Sequence, residues 1–200
     1  MRLYLIRHGE TVLNRKRCYY GLTDADLSET GLSQAKALAK LLEPVHFDRV
    51  ISSPLTRAVR TAGLVTEGRN PDIAVDERLC EQNFGIFEAK TYEELIRDFP
   101  EEMEAWNRNY NGYRIPGGES FADVRARADD FAGMLRREAD GDAAGQTWLI
   151  CAHKGTLGHL TASLLALPLS GYWNFVFEQD CFSVIDLEDG FAIIRSLNRR

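Results

Sequence analysis

Residues 1–11 read Met1-Arg2-Leu3-Tyr4-Leu5-Ile6-Arg7-His8-Gly9-Glu10-Thr11. Leu3 to Ile6 is a short apolar run that reads as a buried strand. It lacks a clean inside–outside alternation, which suits a sheet covered on both faces. The run stops at a basic pair, Arg7-His8, followed by Gly9, where the missing side chain lets the backbone approach closely. Two further strand candidates end in a similar way. Arg49 to Ser52 leads into Ser53-Pro54-Leu55-Thr56-Arg57, and Thr147 to Ala152 leads into His153-Lys154-Gly155-Thr156. In open α/β sheets, ligands bind beyond the carboxyl ends of the strands.

Between these strands the pattern changes to helical. Thr30 can cap a helix over 31–42 that Pro44 ends. Ser53-Pro54 supplies an N-cap and a first-turn proline for a helix to about Thr66. Asp72 to Val75 reads as a short strand. Thr91-Tyr92-Glu93-Glu94 is a capping-box start, and Ser120 with Asp123 can open a helix to about Glu138. A helix over about 156–166 follows the strand at 147–152. Cys181 to Leu187 and Phe191 to Ser196 are strand candidates joined by Glu188-Asp189-Gly190, a hairpin turn. Trp106 to Tyr113 has no clear pattern. This order predicts an α/β fold: a three-layer α/β/α sandwich with a mixed, mostly parallel sheet. One domain is expected over 1–200, with a small helical insertion at about 84–120 covering the site.

The chain has 200 residues, 44% hydrophobic and 27% charged, an ordinary composition for a folded protein. Lys and Arg number 24 against 30 Asp and Glu, a net charge of -6. That balance argues against nucleic acid or an anionic membrane as partner. No apolar run approaches the roughly 20 residues of a membrane span, and no signal-peptide core follows the start. Cytoplasm is the expected location. Cys18, Cys80, Cys151 and Cys181 form no close pair and no zinc-spaced cluster, and they read as packing residues of a reducing compartment.

Two arginines, two histidines and helix N-termini at neighbouring strand ends suit a phosphoryl group. The rigid arginine fork reaches two oxygens at once, and a neutral imidazole can attack phosphorus. Asn14 can add an amide donor. Glu10 reads as a residue that orients a basic neighbour. His46, which precedes a strand, and His159, which an apolar helix stripe can absorb, are read as non-functional histidines, either solvent-exposed or bonded in the core. Among the acids, Glu77, Glu81 and Glu88 are nearly equal candidates on the residues alone.

In its motifs the sequence resembles the histidine phosphatase superfamily, also called the phosphoglycerate mutase-like family. Arg7-His8-Gly9-Glu10-Thr11 matches its leading motif and Ser53-Pro54-Leu55-Thr56-Arg57-Ala58 its second. The segment from Glu81 to Glu88 is similar to the acid-bearing element, Pro116 to Ser120 to another, and His153 to the second histidine. The match runs nearly the length of the chain. Lys154 stands where many relatives carry glycine or a small residue, Ala89 where the family often has glycine, and Cys18 and Tyr20 where many mutases have arginine and glutamine.

The resemblance implies a metal-independent phosphomonoester hydrolase without a cofactor. His8 would be the nucleophile and Glu81 the acid that protonates the leaving oxygen, with Arg7, Arg57 and His153 completing the catalytic set. It implies Arg7, Asn14, Arg57, His153, Lys154, Gly21 and Thr23 as substrate- and phosphate-binding residues. On the residues themselves, Tyr19, Tyr20, Trp106 and Tyr110 of the first loop and the insertion are candidates for an aromatic pocket wall, with core packing as the alternative. The short length and the Tyr19-Gly21-x-Thr23-Asp24 pattern are similar to family members acting on α-ribazole 5′-phosphate. A phosphoglycerate mutase or a broad-specificity sugar or nucleotide phosphatase is the alternative chemistry, and a non-catalytic phospho-ligand-binding module the alternative class. The expected partner is a small phosphorylated metabolite, with a homodimer left open.

Overall fold

The computed structural model describes residues 1–69 and 72–200. In chain order its elements are β1 (Arg2–Arg7), α1 (Val12–Arg15), α2 (Glu29–Leu41), β2 (Arg49–Ser52), α3 (Thr56–Val65), β3 (Ile73–Val75), α4 (Tyr92–Asp98), α5 (Pro100–Arg108), α6 (Phe121–Asp140), β4 (Thr147–Ala152), α7 (Lys154–Leu164), β5 (Phe182–Glu188) and β6 (Phe191–Arg199). The strands form one six-stranded sheet in the order β3-β2-β4-β1-β5-β6. β1 to β4 are parallel, and β5 returns antiparallel to β1 and pairs with β6. The sheet is mixed and largely parallel, as the order of elements predicts.

β1 shows why its sequence lacks polar alternation. Leu3 and Leu5 enter one core with Phe131, Leu135, Leu157 and Leu160 from α6 and α7. Ile6, from the opposite face, enters a second core with Leu38, Ala58 and Ala62 from α2 and α3. β4 divides likewise, Trp148 and Ile150 to the first core and Leu149 and Cys151 to the second. Helices cover both faces, so every strand position can be apolar, and each fully buried Leu or Ile contributes about 1.5–3 kcal/mol.

Helix starts differ from the expected positions where tertiary partners replace the local signal. Ser28 rather than Thr30 caps α2, accepting from the Gly31 N–H. α3 begins at Thr56, beyond Pro54, because the Asp24 carboxylate takes the Thr56 N–H and hydroxyl at 2.9 and 2.6 Å and does the work of a cap. α7 begins at Lys154, directly after His153, earlier than the expected 156. The Thr91 and Ser120 capping boxes stand as predicted, and Asp189 (φ 50°) and Gly190 (φ 79°) make the β5–β6 turn.

Residues 84–120 contain α4 and α5, which hold a third small core of Phe87, Leu95, Met103, Trp106 and Ile115. The segment without a clear sequence pattern starts inside α5 and ends in a turn. Trp106 is 3% exposed in this core and stacks on Tyr110 at 4.9 Å, so it supports the pocket wall from behind rather than forming it. Among the described residues, no helix is long and apolar enough to cross a membrane.

Candidate active site

β1 and β4 are neighbours in parallel register, with Arg7 opposite Ala152 as their last pair. His8 and His153 are therefore the next residues beyond the same sheet end, and the His8 N–H extends the ladder to the Ala152 carbonyl at 3.0 Å. β2 pairs with the other side of β4 and delivers Ser53 and Arg57 to the same end. A cleft of about 230 Å³ opens there, lined by Arg7, His8, Asn14, Arg57, Glu81 and Lys154 on its polar side.

His8 is buried, and its Nδ1 lies 2.7 Å from the Gly9 carbonyl. A carbonyl only accepts, so Nδ1 carries the proton and Nε2 keeps its lone pair. Burial, then the charges of Arg7 and Arg57, push the His8 pKa well below the usual imidazole value. The ring is neutral at neutral pH, the state a nucleophile requires.

His153 is fully buried, and its pKa is also pushed well down, first by burial and then by His8, Arg57 and Arg7. Arg57 Nε donates to its Nδ1 at 3.3 Å, so the proton sits on Nε2 and is shared with Ser53 Oγ at 2.8 Å. In this state both ring nitrogens are engaged within the protein.

Arg57 is fully buried, an expensive place for a guanidinium. Its Nη1 and Nη2 donate to the carbonyls of Thr23 and Gly21 at 3.1 and 2.6 Å, and its charge lies 4.7 Å from the Tyr20 ring centre. Arg7 donates from Nη1 to the Phe177 carbonyl at 3.2 Å, while its buried Nε has no partner among the described residues. Asn14 Oδ1 accepts from the Thr11 N–H and from Gln179 Nε2, which leaves its NH₂ group to donate.

Gly21 and Thr23 do not present donors to the cleft, which corrects their expected place at the phosphate. Their N–H groups, the Leu22 and Phe84 N–H groups and the Thr23 hydroxyl all donate to the Glu88 carboxylate. Glu88 thereby sets the loop whose carbonyls aim Arg57. The sequence alone does not distinguish Glu88 from the other acids, because nothing local shows that a carboxylate will collect main-chain donors from two loops.

Glu81 closes the cleft from the opposite side. Its carboxylate accepts from the Gly155 N–H at 3.0 Å and the Gln82 N–H at 3.1 Å. Gly155 is in the first turn of α7, so the anion at this helix N-terminus is the protein's own carboxylate. A Cβ at position 155 would stand 2.3 Å from Glu81 Oε1, which explains the glycine.

Tyr19, Tyr20, Phe84, Tyr110, Phe121 and Tyr172 form the aromatic side of the cleft. The sequence reading does not place Phe84, Phe121, Tyr172 or His159 on the cleft. His159 packs 4.2 Å from Phe121 and 4.7 Å from Tyr172, centroid to centroid, with no partner for either ring nitrogen among the described residues. Lys154 is exposed at the rim. Cys18 reaches the cleft, and burial pushes its thiol pKa upward, against a nucleophilic role. Among the described residues, no group of three or more His, Cys, Asp or Glu side chains is placed to hold a metal ion.

Arginines alone could serve a receptor for anions. A neutral imidazole among them adds a group able to attack phosphorus, which fits a phosphatase, a phosphomonoester hydrolase. Comparison with known proteins agrees: the model of the histidine phosphatase superfamily (branch 1) matches residues 3–200, and the chain belongs to that superfamily. It is 39% identical over 200 residues to an adenosylcobalamin/α-ribazole phosphatase of Salmonella typhimurium, covering 100% of this chain and 97% of that one. It is 33% identical to phosphoserine phosphatase 1 of Hydrogenobacter thermophilus, covering 99% of this chain and 92% of that one. The crystal structure of the α-ribazole phosphatase from Shigella flexneri superposes with a TM-score of 0.92 at 36% identity, covering 99% of this chain and 96% of that one.

Proposed function

We propose that this phosphatase works through a phosphohistidine on His8 and that its substrate is α-ribazole 5′-phosphate. The observation that carries the mechanism is the Nδ1-to-Gly9 bond, which leaves His8 Nε2 unprotonated in a cleft walled by Arg7 and Arg57. Nε2 attacks phosphorus, the bond to the ester oxygen breaks, and Glu81 in its acid form protonates the departing oxygen. Glu81 as carboxylate then takes a proton from water, whose oxygen displaces His8 and forms inorganic phosphate. Arg7, Arg57 and the Asn14 amide hold the phosphoryl oxygens as charge develops. His153 joins them by changing tautomer. The Ser53 hydroxyl can turn to donate to Nε2, which frees an Nδ1–H for the phosphoryl group once Arg57 Nε has moved to it.

The substrate assignment is supported by the activity for which the Salmonella and Shigella relatives are named and by the aromatic side of the cleft, which suits a flat leaving group. The net charge of -6 favours a diffusible metabolite over nucleic acid, and we place the reaction in the cytoplasm. Phosphate release from α-ribazole 5′-phosphate, phosphoserine, 3-phosphoglycerate, sugar phosphates and p-nitrophenyl phosphate tests the assignment. The expected result is a kcat/KM for α-ribazole 5′-phosphate about tenfold or more above the others. Equal values across the panel would remove the narrow substrate and leave the mechanism.

A further inference from the structure

Glu81 belongs to no regular element. It lies between short 3₁₀ turns at Glu77–Leu79 and Gly85–Phe87. A group that must deliver a proton to one oxygen has to be held to about 0.5 Å, which a free loop cannot do. We propose that Glu119 and Arg127, neither of which lines the cleft, are the positioning residues that hold Glu81 in place for proton transfer.

The two side chains form a fork-to-carboxylate pair, with Arg127 Nε and Nη2 at 3.0 and 3.2 Å from the two Glu119 oxygens. Each then grips the main chain on one side of Glu81. Arg127 Nη1 donates to the Cys80 carbonyl at 2.5 Å and the Arg78 carbonyl at 2.8 Å. Glu119 Oε2 accepts from the Asn83 N–H at 2.8 Å, and the Glu119 N–H donates to the Asn83 carbonyl at 2.9 Å. The Glu119 carbonyl also accepts from Gln82 Nε2 at 3.1 Å. Glu119 precedes the Ser120 cap of α6, and Arg127 lies further along that 20-residue helix. The loop is thus fixed against a long helix at both ends, while Gly155 and Thr156 of α7 hold the Glu81 carboxylate and the Cys80 carbonyl from the other side. Arg127 meets Glu119 and two carbonyls together through one planar fork, which a lysine ammonium cannot span.

The proposal rests on Glu81 protonating the leaving oxygen, and the experiment separates the two claims. Proton donation matters most when the leaving oxygen is strongly basic, as in an alkyl phosphate, and least for p-nitrophenyl phosphate. The ratio of kcat/KM between such substrates within one variant is independent of how much of that variant has folded. Glu81→Gln is expected to lower this alkyl-to-p-nitrophenyl ratio by about 10²-fold, and Glu119→Gln and Arg127→Lys by about tenfold. Equal losses on both substrates in the Glu119 and Arg127 variants, beside a graded loss in Glu81→Gln, would overturn the proposal and leave the role of Glu81 intact. A uniform loss in Glu81→Gln itself would overturn both.

Discussion

The His8 and His153 rings lie 5.0 Å apart, centroid to centroid, inclined by 57°. They meet because each follows the last paired residue of two adjacent parallel strands, Arg7 of β1 and Ala152 of β4. Two imidazoles beside the buried Arg57 and the half-buried Arg7 share this space most readily while the rings are neutral.

That requirement makes the fold sensitive to acid. His8 and His153 are held well below the ordinary imidazole pKa, and burial lowers that of His159 to about 3. The unfolded chain takes up these protons near pH 6.5, whereas the folded chain does not, so below that pH the unfolded state binds more of them. The histidine contribution is full above about pH 6.5 and is lost as pH falls toward the folded values. Urea unfolding is expected to show stability decreasing from pH 7 to 5, with a limiting slope of about 1.4 kcal/mol per pH unit for each histidine. A flat profile over that window would contradict the neutral-ring assignment.

Gly155→Ala tests the contact between α7 and Glu81. The added Cβ would stand 2.3 Å from Oε1 and must displace the carboxylate. Alanine is the better helix former by about 1 kcal/mol, so the helix itself is not weakened. The expected outcome is a loss of about 10–100-fold in kcat with Tm unchanged or raised. Full activity would show that the position of Glu81 is not critical.

Glu88→Gln tests the loop behind Arg57. The amide keeps one acceptor oxygen but sets an NH₂ against the N–H groups now donating to Glu88. We expect a destabilisation of about 1–3 kcal/mol by urea unfolding. Affinity for inorganic phosphate, measured by calorimetry, should fall about tenfold as Arg57 loses its aim. Unchanged phosphate binding would separate Glu88 from the site.

Ala89 has φ at 61°, in the left-handed region that disfavours a side chain. Its N–H donates to the Tyr19 carbonyl at 2.7 Å, a bond glycine would keep. Relief of strain outweighs the added freedom of the unfolded chain, so Ala89→Gly should raise stability by about 0.5–1 kcal/mol. A lower Tm would contradict this reading of the turn.

The strand ends were legible because a buried strand excludes charge until the sheet edge, so Arg7-His8 and His153-Lys154 stand out against apolar runs. The resemblance then selected Glu81 among equal acids. What stayed hidden depends on partners distant in sequence. Glu88 gathers donors from residues 21–23, Asp24 caps α3 in place of Ser53, and Trp106 turns into its own small core. Phe121, His159 and Tyr172 come from three separate segments, and nothing local shows that they share one wall of the cleft.

The central claim is that the phosphoryl group passes through His8. The direct measurement is a rapid alkaline quench during turnover of labelled substrate, followed by peptide mapping of the labelled enzyme. The account predicts an acid-labile, alkali-stable phosphoryl group on His8 Nε2, with neither label nor turnover in His8→Ala. Label on any other side chain, or undiminished turnover in His8→Ala, would contradict it.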